Sequence, residues 1–439
     1  NIINESSNTI TIGASGDTIS LASGASQTGF GRTGTVDWDT TPKTATFSAV
    51  SGDGFFCNTT AGAFTCNLPA GAAGAIVSLA DYAGTWQTNN LTVSPNGSEK
   101  IGGTNADVTL NTEGQSVTFV YVDSTQGWIN VQDSTSNERG NAFIVATGGT
   151  ITTSGNCKIH TFTGPGTFTV CAVATCSANN LVSYMVIGGG GAGGNGGSPG
   201  GNGTGGGGAG GYRETKSPVT PYTASPLCGY ATPGNRITVS ATAFPITVGG
   251  GGTYNPASGA SRNPGAASVF STISSAGGGG GGGSGSATGG NGGSGGGAVG
   301  GSGTPYGGGS GNTPPVTPPQ GNDGGNNLSS PGYGSGGGGG AAGAGANAAG
   351  SNNGVGGNGT TSCITASPVT RAGGGGGGGY SPGSPTGASG GSGGGGNGGT
   401  TPSTPATAGT INTGGGGGGS HSGASAGGNG GSGIVVIRY

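Results

Sequence analysis

Ser183-Tyr-Met-Val-Ile-Gly-Gly-Gly-Gly-Ala-Gly-Gly-Asn-Gly-Gly-Ser198 is the stretch on which the reading of this chain turns. An apolar strand signal runs without a break into glycine. The junction recurs in reverse where Gly427-Gly-Asn-Gly-Gly-Ser432 leads through Gly433 into Ile434-Val-Val-Ile-Arg438. Residues 188–433 between them hold 94 of the 117 glycines, many in triplets of two glycines and one small polar residue. A period of three suits the left-handed polyproline-II helix, with three residues per turn, about 3.1 Å rise and no internal hydrogen bonds. A glycine version can bond sideways to neighbouring helices, because no Cβ holds the backbones apart, and its Asn or Ser then lines the outer face. Collagen needs one glycine per triplet and much proline, which runs such as 277–283 and 373–379 do not offer. Composition alone would suit a disordered linker, since each ordered glycine carries a large entropic cost. Bracketing by strands favours order, so we expect a polyglycine II bundle over 188–433 on a β scaffold.

Composition narrows the rest. Of 439 residues only 29% are hydrophobic and 6% charged, which excludes one large conventional globule. Residues 1–150 carry a net charge of −8 and the remainder +5. Positive charge that dilute excludes a nucleic-acid surface, which needs clustered Lys and Arg. No stretch approaches a transmembrane helix in length, so no membrane insertion is expected. Seven cysteines are too few for a disulfide scaffold. Cys57 and Cys66 would face each other if Ala61-Gly62 were a hairpin turn, which allows either a disulfide or a pair of buried thiols.

The chain reads as all-β, with essentially no α-helix. Within 1–29, Asn8-Thr-Ile-Thr-Ile-Gly13 returns as Asp17-Thr-Ile-Ser-Leu21, the pattern of a short-strand stalk. Residues 30–133 carry many short strand signals, at 44–50, 54–57, 63–68, 75–79, 91–93, 107–110, 116–122 and 128–131, with a hairpin signal at Asn96-Gly97. That spacing points to a sandwich or barrel-like domain. Residues 134–142 read as a linker, and 143–439 as the glycine-rich unit. In it, Lys158-Ile-His-Thr-Phe-Thr163, Gly164-Pro-Gly166 and Thr167-Phe-Thr-Val170 read as a hairpin, with strands at 182–187, 236–248, 268–273 and 434–438.

No catalytic constellation stands out, and neither a metal nor a cofactor is expected. Gly292-Gly-Ser-Gly-Gly296 matches a nucleophile-elbow pattern by composition alone, without its strand–turn–helix context. His160 reads as a structural residue on a strand face and His421 as an exposed turn residue. Asp37 and Asp39 read as turn residues about Trp38. The glycine runs are interrupted by excursions richer in Tyr, Pro and Arg, and loops on a rigid scaffold are where recognition usually lives. The candidate contact residues are Tyr212, Arg213, Tyr222, Tyr230, Tyr254, Tyr306, Tyr333, Arg371 and Tyr380. Tyrosine among Gly, Ser and Asn gives rigid amphipathic contact area, although capping the glycine helices is the competing role.

Several stretches resemble a known family. Asn4-Glu-Ser-Ser-Asn-Thr-Ile-Thr-Ile-Gly-Ala-Ser-Gly-Asp-Thr-Ile19 is similar to a stretch of tail-fibre proteins of phages infecting marine or other aquatic bacteria. Lys43-Thr-Ala-Thr-Phe47, Asn67-Leu-Pro-Ala-Gly71, Asn96-Gly-Ser-Glu-Lys-Ile-Gly-Gly103 and Val120-Tyr-Val-Asp123 resemble a fibre domain of the same proteins. The 162–169 segment and the closing Gly-Ile-Val-Val-Ile-Arg438 resemble a glycine-rich fibre tip, and adhesins of T-even-like phages also pack polyglycine helices. The resemblance implies a non-enzymatic, receptor-binding virion tail-fibre protein, homotrimeric and joined to other tail or fibre proteins on its N-terminal side. Its implied target is a host surface glycan or outer-membrane protein. The alternative is a purely structural fibre or self-assembling filament with no receptor site.

Overall fold

The computed structural model describes residues 36–134, 141–196, 202–254, 263–283, 286–301, 304–329, 332–380, 384, 386–423 and 426–439. The stalk expected at 1–29 and most of the expected linker lie outside them. The chain divides into two compact units, Asn1–Glu138 and Arg139–Tyr439. Among the described residues both are built from β-strands, with several sheets and no closed barrel.

In the first unit the chain winds between two sheets. β1 (Asp37–Lys43), β3 (Asp53–Cys57) and β5 (Ile76–Asp81) lie parallel in one sheet. β2 (Phe47–Ser48), β4 (Phe64–Asn67) and β6 (Leu91–Ser94) lie parallel in the other. Antiparallel strands finish each sheet: β7 (Val108–Leu110) on β6, and β8 (Ser116–Asp123) with β9 (Gly127–Ser134) on β5. Alternate residues of both sheets point inward, so Phe55, Phe64, Val77, Leu79, Leu91 and Phe119 join Trp86 and Trp128 in one core. Each large apolar side chain buried there contributes about 1.5–3 kcal/mol.

Winding corrects three expectations. Cys57 and Cys66 are not hairpin neighbours, because β3 and β4 belong to different sheets, and both are buried free thiols. Burial pushes Cys66 up to about 12 and raises Cys57 as well, so they serve as small core residues. Asn96-Gly97 opens the loop 95–107 instead of a two-residue turn, with Glu99 N–H bonded to the Asn96 carbonyl at 3.0 Å. Asp37 and Asp39 lie on β1 and not in a turn; Asp39 accepts from Lys43 Nζ at 2.8 Å.

The second unit has two larger sheets and a hairpin. β11 (Thr150–Ser154), β12 (Cys157–Phe162), β22 (Ile434–Arg438), β14 (Leu181–Ile187) and β15 (Tyr212–Thr215) follow one another across the first, with β16 (Ile237–Thr238) also on β14. The second runs β10 (Val145–Thr147), β13 (Gly166–Ala172), β17 (Ala243–Thr247), β18 (Ser268–Phe270) and β19 (Ile273–Ser275). β20 (Thr360–Ser362) and β21 (Val369–Arg371) form the hairpin. The hairpin expected over 158–170 does not form: β12 pairs with β11 and β22, and β13 with β10 and β17. Its Gly-Pro-Gly turn instead carries the chain from one sheet to the other. The strand expected over 236–248 is likewise split, β16 and β17 lying in different sheets. Phe168, Val182, Tyr184, Val186, Phe270 and Val435 are among the residues of one core drawn from both.

From β14, β15 and β22 the glycine segments 188–194, 203–211 and 427–433 continue outward, and strand pairing becomes helix pairing. Gly188, Gly191 and Gly194 donate to the carbonyls of Gly211, Gly208 and Gly205 at 3.0, 2.8 and 2.9 Å. Gly189 and Ala192 donate to Ala266 and Asn263, and Gly190 and Gly193 to Gly431 and Gly428, all at 2.9 Å. Every third residue faces the same neighbour. That is the three-residue turn of a polyglycine II helix, closed by bonds between helices and not within one.

Segment 203–211 stands at the centre with six neighbours. It donates to 276–282, 336–339 and 414–420, and accepts from 188–194, 294–300 and 375–378. Each of the three faces has a position where only glycine fits, although Thr204 and Ala209 are accommodated in the same segment. A Cβ on Gly205, Gly206 or Gly207 would come within 1.9, 2.1 and 2.2 Å of the carbonyl oxygens of Gly297, Gly375 and Gly191 respectively.

Candidate functional site

The rungs fix two ends for this bundle. Gly188, Gly211 and Ala276 lie level beside the sheet, and Gly194, Gly205 and Gly282 lie two turns further out. Tyr306, Tyr333 and Tyr380 therefore belong to turns at the outer end, beyond Gly300, Gly334 and Gly379. Tyr254 sits on the flank, where its N–H donates to Asn429 Oδ1 at 2.6 Å. Tyr212, Arg213, Tyr222, Tyr230 and Arg371 lie at the sheet end.

At the outer end the structure brings two candidates together. The rings of Tyr333 and Tyr380 meet edge-on, centroids 5.5 Å apart at 68°. Both are half-buried. Tyr333 has φ +50°, a left-handed backbone that is uncommon for a bulky side chain and marks a place held by its surroundings. Those surroundings are polar. Ser384 Oγ donates to the Gly332 carbonyl at 2.7 Å, and Asn353 donates to the carbonyls of Ser384 and Thr386 at 3.2 and 2.8 Å. Asn353 also accepts from the Ser335 N–H at 2.8 Å. Tyr306 is anchored nearby, its N–H donating to Asn327 Oδ1 at 2.7 Å. Gly300 and Gly301 link it to the pair: a Cβ on Gly300 would meet the Tyr333 carbonyl at 2.3 Å, and one on Gly301 the Tyr306 ring at 3.3 Å.

The sheet-end candidates are mostly committed to the interior. Tyr212 and Arg371 are buried, which corrects their assignment as surface contacts. Tyr212 donates to Glu214 Oε2 at 2.8 Å, and desolvation with the neighbouring carboxylate raises its pKa well above the usual value. Desolvation lowers that of Arg371. Half-buried Tyr222 lies under Arg438, whose guanidinium is 5.3 Å from the ring centroid. Arg213 is pinned to Asn235 Oδ1 at 2.5 Å, and Tyr230 lies under Arg236 at 4.4 Å.

His160 is buried, with Nδ1 2.8 Å from the Gly148 carbonyl and Nε2 3.0 Å from the Tyr439 hydroxyl. The carbonyl can only accept, so the proton sits on Nδ1 and Nε2 accepts from Tyr439. His421 is also buried, its Nδ1 bonded to the Ser422 carbonyl, which corrects the exposed-turn reading.

Sequence reasoning missed Asn353 and Ser384, which hold the tyrosine turns, and the buried Glu214 and Arg438. Glu214 alone carried a signal, being one of two acids after residue 150. Among the described residues, no group of three or more His, Cys, Asp or Glu could hold a metal ion.

No curated protein matches the chain. The glycine-rich domain family model matches residues 161–439, from β12 to the final residue. Over that span, more than half its length, this chain belongs to the glycine-rich domain family.

Proposed function

We propose that this chain is a non-enzymatic tail-fibre adhesin of a bacteriophage, acting as a homotrimer in the virion and joined to other fibre proteins on its N-terminal side. The outer-end turns bearing Tyr306, Tyr333 and Tyr380 bind a bacterial surface glycan or outer-membrane protein. The observation that carries this reading is the Tyr333–Tyr380 pair, set on a strained backbone and braced by Ser384 and Asn353. Rigid aromatic contact area at the end of a hydrogen-bonded bundle loses little entropy on binding. Tyr254 and Tyr230 are placed apart from this surface.

Adsorption of the labelled full chain to candidate host cells tests the reading. Saturable binding that blocks infection is expected, falling at least about tenfold in the Tyr333→Ser/Tyr380→Ser double variant, the loss of about 1.4 kcal/mol. Tyr230→Ser, at the other end, retains it. Equal binding by all three proteins would overturn the site. Long fibrils and no adsorption to any cell would favour the structural-filament reading, for which the bundle alone accounts for the glycine content.

A further inference from the structure

The charges buried at the sheet end do not balance. Glu214, Arg371 and Arg438 are 2%, 7% and 3% exposed. The Glu214 carboxylate is already served by neutral donors: Tyr212 Oη and Ser225 N–H on Oε2 at 2.8 and 3.0 Å, and Ser362 Oγ on Oε1 at 2.6 Å. Arg438 turns away, donating to the carbonyls of Ile364 and Pro221 at 3.2 and 2.9 Å. Among the described residues its Nε has no acceptor, and neither has Nη1 of Arg371.

Three further buried hydroxyls in the same region, those of Tyr222, Ser225 and Thr365, meet no partner at hydrogen-bond geometry among the described residues. Each can donate. The sum of one carboxylate and two guanidiniums is a net positive charge, enclosed where a lone charge is expensive. Buried polar groups left without partners call for an ion or water that completes them. Water would serve the hydroxyls, but it would leave the charge uncompensated.

We propose that this cluster binds one small monovalent anion, of the class of chloride, on the Arg371 guanidinium. A single negative charge closes the balance, whereas a divalent oxyanion would exceed it and cost more to desolvate. The bound ion fastens the β20–β21 hairpin, which supplies Arg371, to the loop after β15 that supplies Tyr222 and Ser225. This site is at the opposite end from the tyrosine turns and stands independently of the adhesin reading.

Thermal unfolding of the full chain in sodium chloride, against sodium gluconate at equal ionic strength, reads the site. Chloride should raise the midpoint of the glycine-rich unit saturably, by about 3 °C at large excess over its dissociation constant. Arg371→Gln should abolish the difference, and Arg236→Gln, whose guanidinium sits on Tyr230, should keep it. Equal midpoints in the two salts would overturn the proposal, as would a rise with sulfate or phosphate but not chloride. Should Arg371→Gln fail to fold, chloride-35 NMR of the wild-type chain decides. Excess line width that bromide displaces and urea removes supports the site, and its absence overturns it.

Discussion

Gly206 and Gly250 are the same residue under opposite constraints. A Cβ on Gly206 would lie 2.1 Å from the Gly375 carbonyl oxygen, whereas one on Gly250 meets nothing within 4 Å. Gly206→Ala must therefore spread two helices, and overpacking of this kind costs about 1–3 kcal/mol or more. Gly250→Ala removes only unfolded-chain freedom and is expected to be neutral or stabilising by up to about 1 kcal/mol. Urea unfolding of both variants checks this, and equal loss would mean that the helices can shift apart. His160 supplies the pH dependence at this scale. Burial lowers its pKa from the ordinary 6.5, the larger effect, against the Gly148 bond that raises it. Its contribution is thus complete above pH 6.5, and it is lost as pH falls below that value towards the lowered one, because the unfolded chain takes up the proton first. Stability measured at pH 7.5 and 5.0 should fall less in His160→Gln than in the parent chain. An unchanged fall would place the sensitivity elsewhere.

Asparagine is what lets a glycine helix end a bundle sideways. Asn291, Asn326, Asn347, Asn358, Asn397 and Asn429 are exposed, and each accepts a backbone N–H from an adjacent segment through Oδ1, at 2.6–3.1 Å. The side chain stands in for the next helix where there is none. Asn291→Ala should cost about 1 kcal/mol, since Ser310 N–H can return to water. Buried Asn353 bonds Ser335 and the carbonyls of Ser384 and Thr386 at once, so Asn353→Ala strands several groups at about 1–3 kcal/mol each. Urea midpoints should rank them in that order, and the reverse ranking would refute the role given to Asn353. This device was legible in the sequence, because the Gly-Gly-Asn triplet places Asn on one face of a three-residue turn. Strand positions in the first unit were legible for a similar reason: alternation in 116–122 states which face is buried. Pairing was not. Cys57 and Cys66, and the two halves of 158–170, are close in sequence yet lie in different sheets, and local turn chemistry does not reveal which sheet a strand will join. Tyr212 and Arg371 failed likewise: Tyr212 is buried in a cluster with Ala341, Ile364 and Ala372, all remote in sequence, and Arg371 is carried inward at the end of β21.

Two ways of holding a fold together occur in one chain, and they should differ calorimetrically. The first unit buries Trp86, Trp128 and paired rows of aliphatic side chains between its sheets. In the second, apolar cores lie at and beside the sheets, while the interior of the bundle is backbone: around 203–211 the buried groups are amides bonded to amides. Exposing apolar surface raises the heat capacity of unfolding and exposing polar surface lowers it, and ordinary domains come to about 12–15 cal/mol/K per residue. The first unit should fall in that range and the glycine-rich unit clearly below it, roughly under 10. Scanning calorimetry of the full chain is expected to resolve two transitions, assigned by Gly206→Ala, which should lower only that of the glycine-rich unit. A low heat capacity in that transition means a flat stability curve, so the bundle weakens little on cooling and keeps its turns in place over a wide range of temperature. An ordinary value would mean that the apolar cores carry the second unit and that the glycine helices are held by them, not by one another. Loss of the outer rim would then leave its midpoint almost unchanged, which the Asn291 and Asn353 variants test independently.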